Sequence, residues 1–259
     1  MSIFLNSAIF ILGLSIGSFL NCVIYRLEKE ESYLKGRSYC PYCKHVLSWS
    51  DLVPIFSFLA LQGKCRYCRK PISWQYPLVE LATGAIFILI NYYTFPNILL
   101  FTFYFIISSF LIIIFVYDLK HYIIPDNVVF PAIIISLVFN LVLLITGSGN
   151  FLTFKETILS AFLSFTFFLA IFLVTKGAGL GFGDVKLGFL MGLLLGWPNI
   201  VFALFSAFFI GAIIGVGLII SKKKNLKSEI PFGPFLIAGT FLALFWGESI
   251  INWYLGIIF

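Results

Sequence analysis

Long apolar runs and short polar ones alternate along almost the whole chain. Eight stretches, at 3–25, 78–94, 98–117, 127–146, 152–175, 185–197, 199–220 and 232–258, are almost wholly apolar. About 20 such residues are what an α-helix needs to cross ~30 Å of hydrocarbon, where a helix satisfies its own backbone polar groups. The pattern predicts an all-α polytopic membrane protein of about eight transmembrane helices. The sixth stretch is short and glycine-rich, and Trp197-Pro198 predicts a tight turn into the seventh. The expected organisation is a first helix at 1–25, a polar segment at 26–77 and a membrane-embedded remainder at 78–259. Only 26–77 is polar enough to form a soluble subdomain.

Composition agrees. The 259 residues are 61% hydrophobic, with mean hydropathy +1.05. Only 11% are charged, where a soluble domain carries about a quarter. The 32 Phe suit lipid-facing and interhelical surfaces. A net charge of +6 raises the question of nucleic acid, but the charges sit in loops flanking apolar spans, where topology explains them. No nucleic-acid partner is expected; the lipid bilayer is. Arg26, Lys29, Lys35, Arg37, Lys44, Lys64, Arg66, Arg69 and Lys70 follow the first span, Lys120 the third, Lys176 and Lys186 the fifth, and Lys222, Lys223, Lys224 and Lys227 the seventh. The opposite loops hold only Lys155. The positive-inside rule then puts 26–77, Asp118, Asp184 and the 221–231 loop in the cytoplasm, with both termini outside. No basic residues precede the first apolar stretch, so it is expected to be retained rather than cleaved as a signal.

The polar segment holds Cys40-Pro41-Tyr42-Cys43 and Cys65-Arg66-Tyr67-Cys68, two CxxC knuckles 21 residues apart. Four thiolates at this spacing suit tetrahedral Zn²⁺, each knuckle giving two ligands from a tight turn. Disulfides or a redox CxxC are the alternatives; cytoplasmic placement opposes the first, and the presence of two knuckles the second. In so small a segment the metal would hold the fold rather than perform chemistry. Cys22 is expected to pack within the first helix.

The remaining candidate chemistry is acidic. The run Gly177-Ala178-Gly179-Leu180-Gly181-Phe182-Gly183-Asp184-Val185-Lys186 brings an aspartate to the edge of an apolar span, and Val116-Tyr117-Asp118-Leu119-Lys120 does the same at the end of another. An ionisable residue at such a place is a functional candidate by default, because burying it in hydrocarbon is costly. Irregular glycine-rich backbone at membrane depth is tolerated where it lines a polar cavity. Headgroup-level pairing of either aspartate with Lys120 or Lys186 is the plainer alternative. Both acids fall on one side, and no Ser, Cys or His sits in an activating context, so Asp118 and Asp184 are expected to meet as a pair. Two carboxylates sharing a site cannot both ionise cheaply; the ionised one can take a proton from water while the protonated one polarises a peptide carbonyl. Asp126, after Pro125, is expected to cap the fourth span.

In their order, these residues resemble the type IV prepilin peptidases, a family of GxGD-type intramembrane aspartic proteases. The resemblance runs over essentially the whole chain. It rests on Gly17-Ser18-Phe19-Leu20-Asn21-Cys22-Val23-Ile24-Tyr25-Arg26-Leu27, the double CxxC and Tyr76-Pro77-Leu78-Val79-Glu80. Further on it takes in Asp118 with Ile124-Pro125-Asp126, the stretch 179–186 and Pro231-Phe232-Gly233-Pro234-Phe235. It implies that Asp118 and Asp184 are the catalytic aspartates. It implies cleavage of the short basic leader of type IV prepilins or pseudopilins of pilus, secretion or competence systems, in the cytoplasmic membrane of a prokaryote with the site facing the cytoplasm. It also implies a second activity, N-methylation of the new terminus with S-adenosylmethionine, associated with the zinc-binding cysteine segment. Glu80, Gly181, Gly183 and Lys186 are candidates for substrate binding or support. The rivals are another GxGD protease of the presenilin type, against which stand the double CxxC and the lack of a Pro-Ala-Leu motif in the last span, and a transporter or non-catalytic assembly factor.

Overall fold

The computed structural model describes residues 3–33, 36–177, 179–222 and 230–258; Lys35, Ala178, Lys223, Lys224 and Lys227, used above, lie outside them. Regular structure among the described residues is helical, apart from isolated bridges in the cysteine segment. In chain order it comprises α1 (Ile3–Glu28), a 3₁₀ turn at Trp49–Asp51, α2 (Phe56–Ala60), α3 (Gln75–Thr94), α4 (Ile98–His121) and α5 (Asp126–Ile145). Then follow α6 (Phe151–Thr175), α7 (Phe182–Leu195), α8 (Asn199–Ile220), α9 (Gly233–Leu242), a π-helical turn at Ala243–Gly247 and α10 (Glu248–Ile258).

Seven stretches among the described residues are long and apolar enough to cross a membrane: α1, α3, α4, α5, α6, α8 and the continuous Gly233–Ile257. The chain is therefore a multi-pass helical membrane protein. The sixth expected helix also forms, as the 14-residue α7, about 21 Å long and shorter than the hydrocarbon core.

Packing divides the chain into residues Met1–Ile113 and Ile114–Phe259, with α4 contributing to both units. In the first, α1 lies against α3 with almost no side chain between them. A Cβ on Gly13 would stand 2.6 Å from Gly84 Cα, and one on Gly17 2.7 Å from Glu80 Cα. Small residues one turn apart let two membrane helices approach this closely, where dispersion and polar contacts replace the hydrophobic effect. At the polar end of the pair Asn21 donates to the Tyr76 carbonyl at 3.1 Å and accepts from Gln75 at 3.2 Å.

The second unit is built around α7. Its Val185, Leu187, Leu190 and Met191 are fully buried, and α5, α6, α8 and α9 all pack on it. Gly192 lets α6 in so near that a Cβ would meet Ala161 Cα at 2.4 Å. Ser164 of α6 donates to the Gly188 carbonyl at 2.7 Å, and Asn140 of α5 to that of Leu193 at 3.3 Å. A short, glycine-rich helix with a polar first turn is tolerated at this depth because protein, not lipid, surrounds it.

Candidate functional site

Asp118 stands in the last turn of α4. The helix ends where the Tyr122 N–H donates to the Asp118 carbonyl at 2.9 Å and Tyr122 takes φ +59°, the left-handed conformation that commonly terminates helices. The chain then turns through Ile124 and Pro125 into α5.

Asp184 stands in the first turn of α7, and its carboxylate accepts the N–H of Gly181, the residue before that helix, at 3.0 Å. Helix N–H groups without partners and the dipole both favour an anion there. This tie explains why α7 starts at Phe182, three residues ahead of the sequence boundary: the glycine run ends one turn before Asp184, which closes back onto it. The Asp118 carboxylate lies against Gly233, the first residue of α9. The aspartates are 4% and 7% exposed, and Ile124 lies between their neighbours, against both Gly183 beside Asp184 and Gly233 beside Asp118. The pair singled out from sequence is thus brought together within one unit.

Two further residues complete this corner and escaped the sequence reading. A Cβ on Gly233 would lie 2.5 Å from Asp118 Oδ2, so only glycine leaves the carboxylate its place. Ile124, 6% exposed, lies against both Gly183 and Gly233; a Cβ on Gly183 would stand 2.9 Å from its own. Pro231-Phe232-Gly233-Pro234-Phe235 stood out as a motif, but nothing local in it points to Asp118.

Of the supporting candidates, Gly181 donates its N–H to Asp184 and Gly183 immediately precedes that aspartate. Lys186 turns to Asp126 and pairs with its carboxylate, its ammonium 5.5 Å from the ring centres of Phe130 and Phe182. The expectation that Asp126 caps α5 is corrected: Pro125 holds the N-cap position, no side-chain cap bond forms, and the ammonium is the partner instead. Glu80 lies in the other unit, 6% exposed, with its carboxylate accepting the Ile55 N–H at 2.8 Å.

The four cysteines converge: their sulfurs all lie within 4.8 Å of one another, with Cys40 and Cys68 3.9 Å apart, and all four thiols are free. A tetrahedral zinc with ~2.3 Å bonds sets its sulfurs about 3.8 Å apart, so this donor set fits that ion. The knuckles are built alike. Cys40 and Cys65 each donate to the carbonyl five residues on and accept from the N–H four on, and Lys44 and Arg69 take φ +59° and +58°. Cys40-Pro41-Tyr42-Cys43 through Ser48-Trp49 echoes Cys65-Arg66-Tyr67-Cys68 through Ser73-Trp74, a repeat visible in the sequence. Burial opposes the Cys40 thiolate, but the N–H groups of Cys43 and Tyr42 and the neighbouring thiols outweigh it and bring its pKa down to about 7. Cys68 is pushed up to about 11: the Lys70 N–H favours its thiolate, while burial and the other three thiols prevail against it. Cys22 stays in α1, partly buried, with the Ser38 hydroxyl 3.9 Å away, outside this cluster.

Residues 11–94 match the bacterial peptidase A24 N-terminal domain, and residues 105–216 the type IV leader peptidase family. Over 97% of this chain and 94% of the relative, 32% of residues are identical to a prepilin leader peptidase/N-methyltransferase of Aeromonas salmonicida. A protein of the same name from Bacillus subtilis is 33% identical over 96% of this chain and 97% of its own. One from Legionella pneumophila is 31% identical over 98% and 95%. No solved structure matches the chain.

Proposed function

Because this chain belongs to the type IV leader peptidase family, we propose that Asp118 and Asp184 are the carboxylates with which it cuts a prepilin. The activity is bifunctional: removal of the prepilin leader and N-methylation of the terminus so exposed. The observation that carries the catalytic assignment is the convergence of two buried carboxylates, Asp184 held by the Gly181 N–H and Asp118 packed on Gly233, at the adjoining ends of α4 and α7.

In this reading one aspartate is ionised and takes a proton from water as the water attacks the scissile carbonyl. The other is protonated and donates to the carbonyl oxygen, so that charge building there is met by a hydrogen bond. The aspartate that took the water proton then gives it to the leaving amine while the other recovers a proton from a hydroxyl of the tetrahedral intermediate, so the pair returns to its starting state. The Gly181 N–H and the close packing of Gly233 hold the carboxylates in place throughout, which limits the reorganisation needed in the transition state. The substrate is a prepilin or pseudopilin whose basic leader lies on the same side as the aspartates. By the positive-inside rule that side is the cytoplasm, and the bilayer is the cytoplasmic membrane of a prokaryote.

Cys40, Cys43, Cys65 and Cys68 would hold a structural Zn²⁺ that keeps residues 26–77 folded. S-adenosylmethionine supplies the methyl group when bound, and the cysteine segment is where the second activity belongs in this reading. The test is mass spectrometry of a basic-leader prepilin incubated with the purified protein and S-adenosylmethionine. Wild type releases the leader and adds one methyl to the remainder; Asp118→Asn and Asp184→Asn do neither. Cleavage by either variant at the wild-type rate removes that aspartate from the pair.

A further inference from the structure

Glu80 lies five residues into α3, about 7.5 Å along the axis from its start. Its carboxylate is buried and takes the N–H of Ile55, the residue before α2. Ile55 itself has φ +60° and ψ −50°, a conformation that a β-branched residue holds only where its surroundings impose it. The chain before α2 is thus drawn down beside α3 to the level of Glu80, below the point where α3 begins. α2 sits at the mouth of two membrane helices rather than out in solvent.

The side chains presented at that level are apolar. On α2, Phe56 is 69% and Leu59 62% exposed. Phe58, on the buried side, lies 5.0 Å from the ring of Trp74, which directly precedes α3 and is itself 69% exposed. The Trp49–Asp51 turn packs on α2 and leaves Trp49 81% exposed. Below Trp74 the exposed Leu78 and Leu81 of α3 carry the strip on towards hydrocarbon. Lys44, Lys64, Arg69 and Lys70 are exposed in the same segment. Residues 26–77 hold nine Lys and Arg against four Asp and Glu, a net charge of +5.

We infer that α2, with Trp49 and Trp74, is an interfacial anchor that seats the cysteine segment on an anionic bilayer surface. Tryptophan settles at headgroup level, a short helix with one apolar side buries that side at the acyl boundary, and basic residues beside it draw anionic headgroups. The buried tie from Ile55 to Glu80 fixes the height, and at that height the phase facing Phe56 and Leu59 is lipid. The excess of positive charge selects anionic lipid over a basic peptide.

The test uses the full-length protein, one copy per nanodisc, with phosphatidylcholine alone or mixed with phosphatidylglycerol, either lipid carrying brominated chains that quench tryptophan. Wild-type fluorescence is expected to be quenched more by brominated phosphatidylglycerol than by brominated phosphatidylcholine. The Trp49→Phe/Trp74→Phe variant, which keeps Trp197, Trp246 and Trp253, is expected to lose that excess. Phe56→Glu/Leu59→Glu is expected to lose it too, with bound zinc unchanged as the check that the segment stays folded. Retention of the full excess by the double tryptophan variant, or by the Phe56/Leu59 variant at full zinc content, overturns the inference. So does an excess that appears only with two copies per disc, which would assign the strip to a second copy.

Discussion

At Gly233 a single hydrogen atom decides whether the site can exist. The carboxylate of Asp118 occupies the space that any side chain at Gly233 would need. Gly233→Ala is therefore expected to lower kcat for leader cleavage by about 10²-fold, the scale of a catalytic group displaced by ~1 Å, with KM little changed. Steady-state cleavage of a prepilin peptide separates the two constants. The glycines beside Asp184 differ from each other. Gly181 has φ −75°, open to any residue, and a Cβ there would have ordinary contact at 3.7 Å, whereas one on Gly183 would meet Ile124 at 2.9 Å. Gly181→Ala should retain most activity and Gly183→Ala should lose far more, read in the same assay; the reverse order would contradict the packing described. Asp118 and Asp184 were legible in the sequence because a carboxylate beside apolar spans is conspicuous. Gly233 and Ile124 were not, since neither has a charge and both act through contacts made only when distant segments meet.

At the level of the element, α7 carries the second unit. It is too short to cross the bilayer alone, yet its Val185, Leu187, Leu190 and Met191 are fully buried and its backbone touches that of α6 at Gly192. Gly192→Val would force those helices apart and is expected to cost more than ~2 kcal/mol, as overpacking of a tight interface does. Thermal unfolding in detergent, compared with the same substitution at Gly256, where nothing lies within 4 Å, measures it. The existence of α7 was readable from its apolar run, but its start was not. The glycine run looked like irregular backbone reaching Asp184, while the bond from the Gly181 N–H back to that carboxylate begins the helix sooner. Asp126 was misjudged for a related reason: a residue after proline looks like a cap, and only the fold brings the Lys186 ammonium to it.

Over the whole molecule the hydrophobic pattern was the legible part. Backbone groups in hydrocarbon must pair within their own segment, so an apolar run of sufficient length permits little other than a helix. The cysteine segment was legible through the CxxC spacing, while the buried tie from Ile55 to Glu80 was not, being a backbone-to-side-chain bond with no sequence signature. Cys→Ser at Cys40, Cys43, Cys65 or Cys68 is expected to lower bound zinc, measured by elemental analysis, and to open residues 36–75 to protease. Leader cleavage should suffer less than methylation, because Asp118 and Asp184 belong to the other unit. Unchanged zinc in all four variants would contradict the metal assignment. The most direct test of the central claim is the mass of a prepilin product made by wild type, Asp118→Asn and Asp184→Asn side by side, each verified as folded. Two carboxylates acting as one catalytic unit predict a released leader with wild type alone and intact substrate with either variant. A released leader in either variant would show that the pair, though it meets in space, does not perform the cleavage.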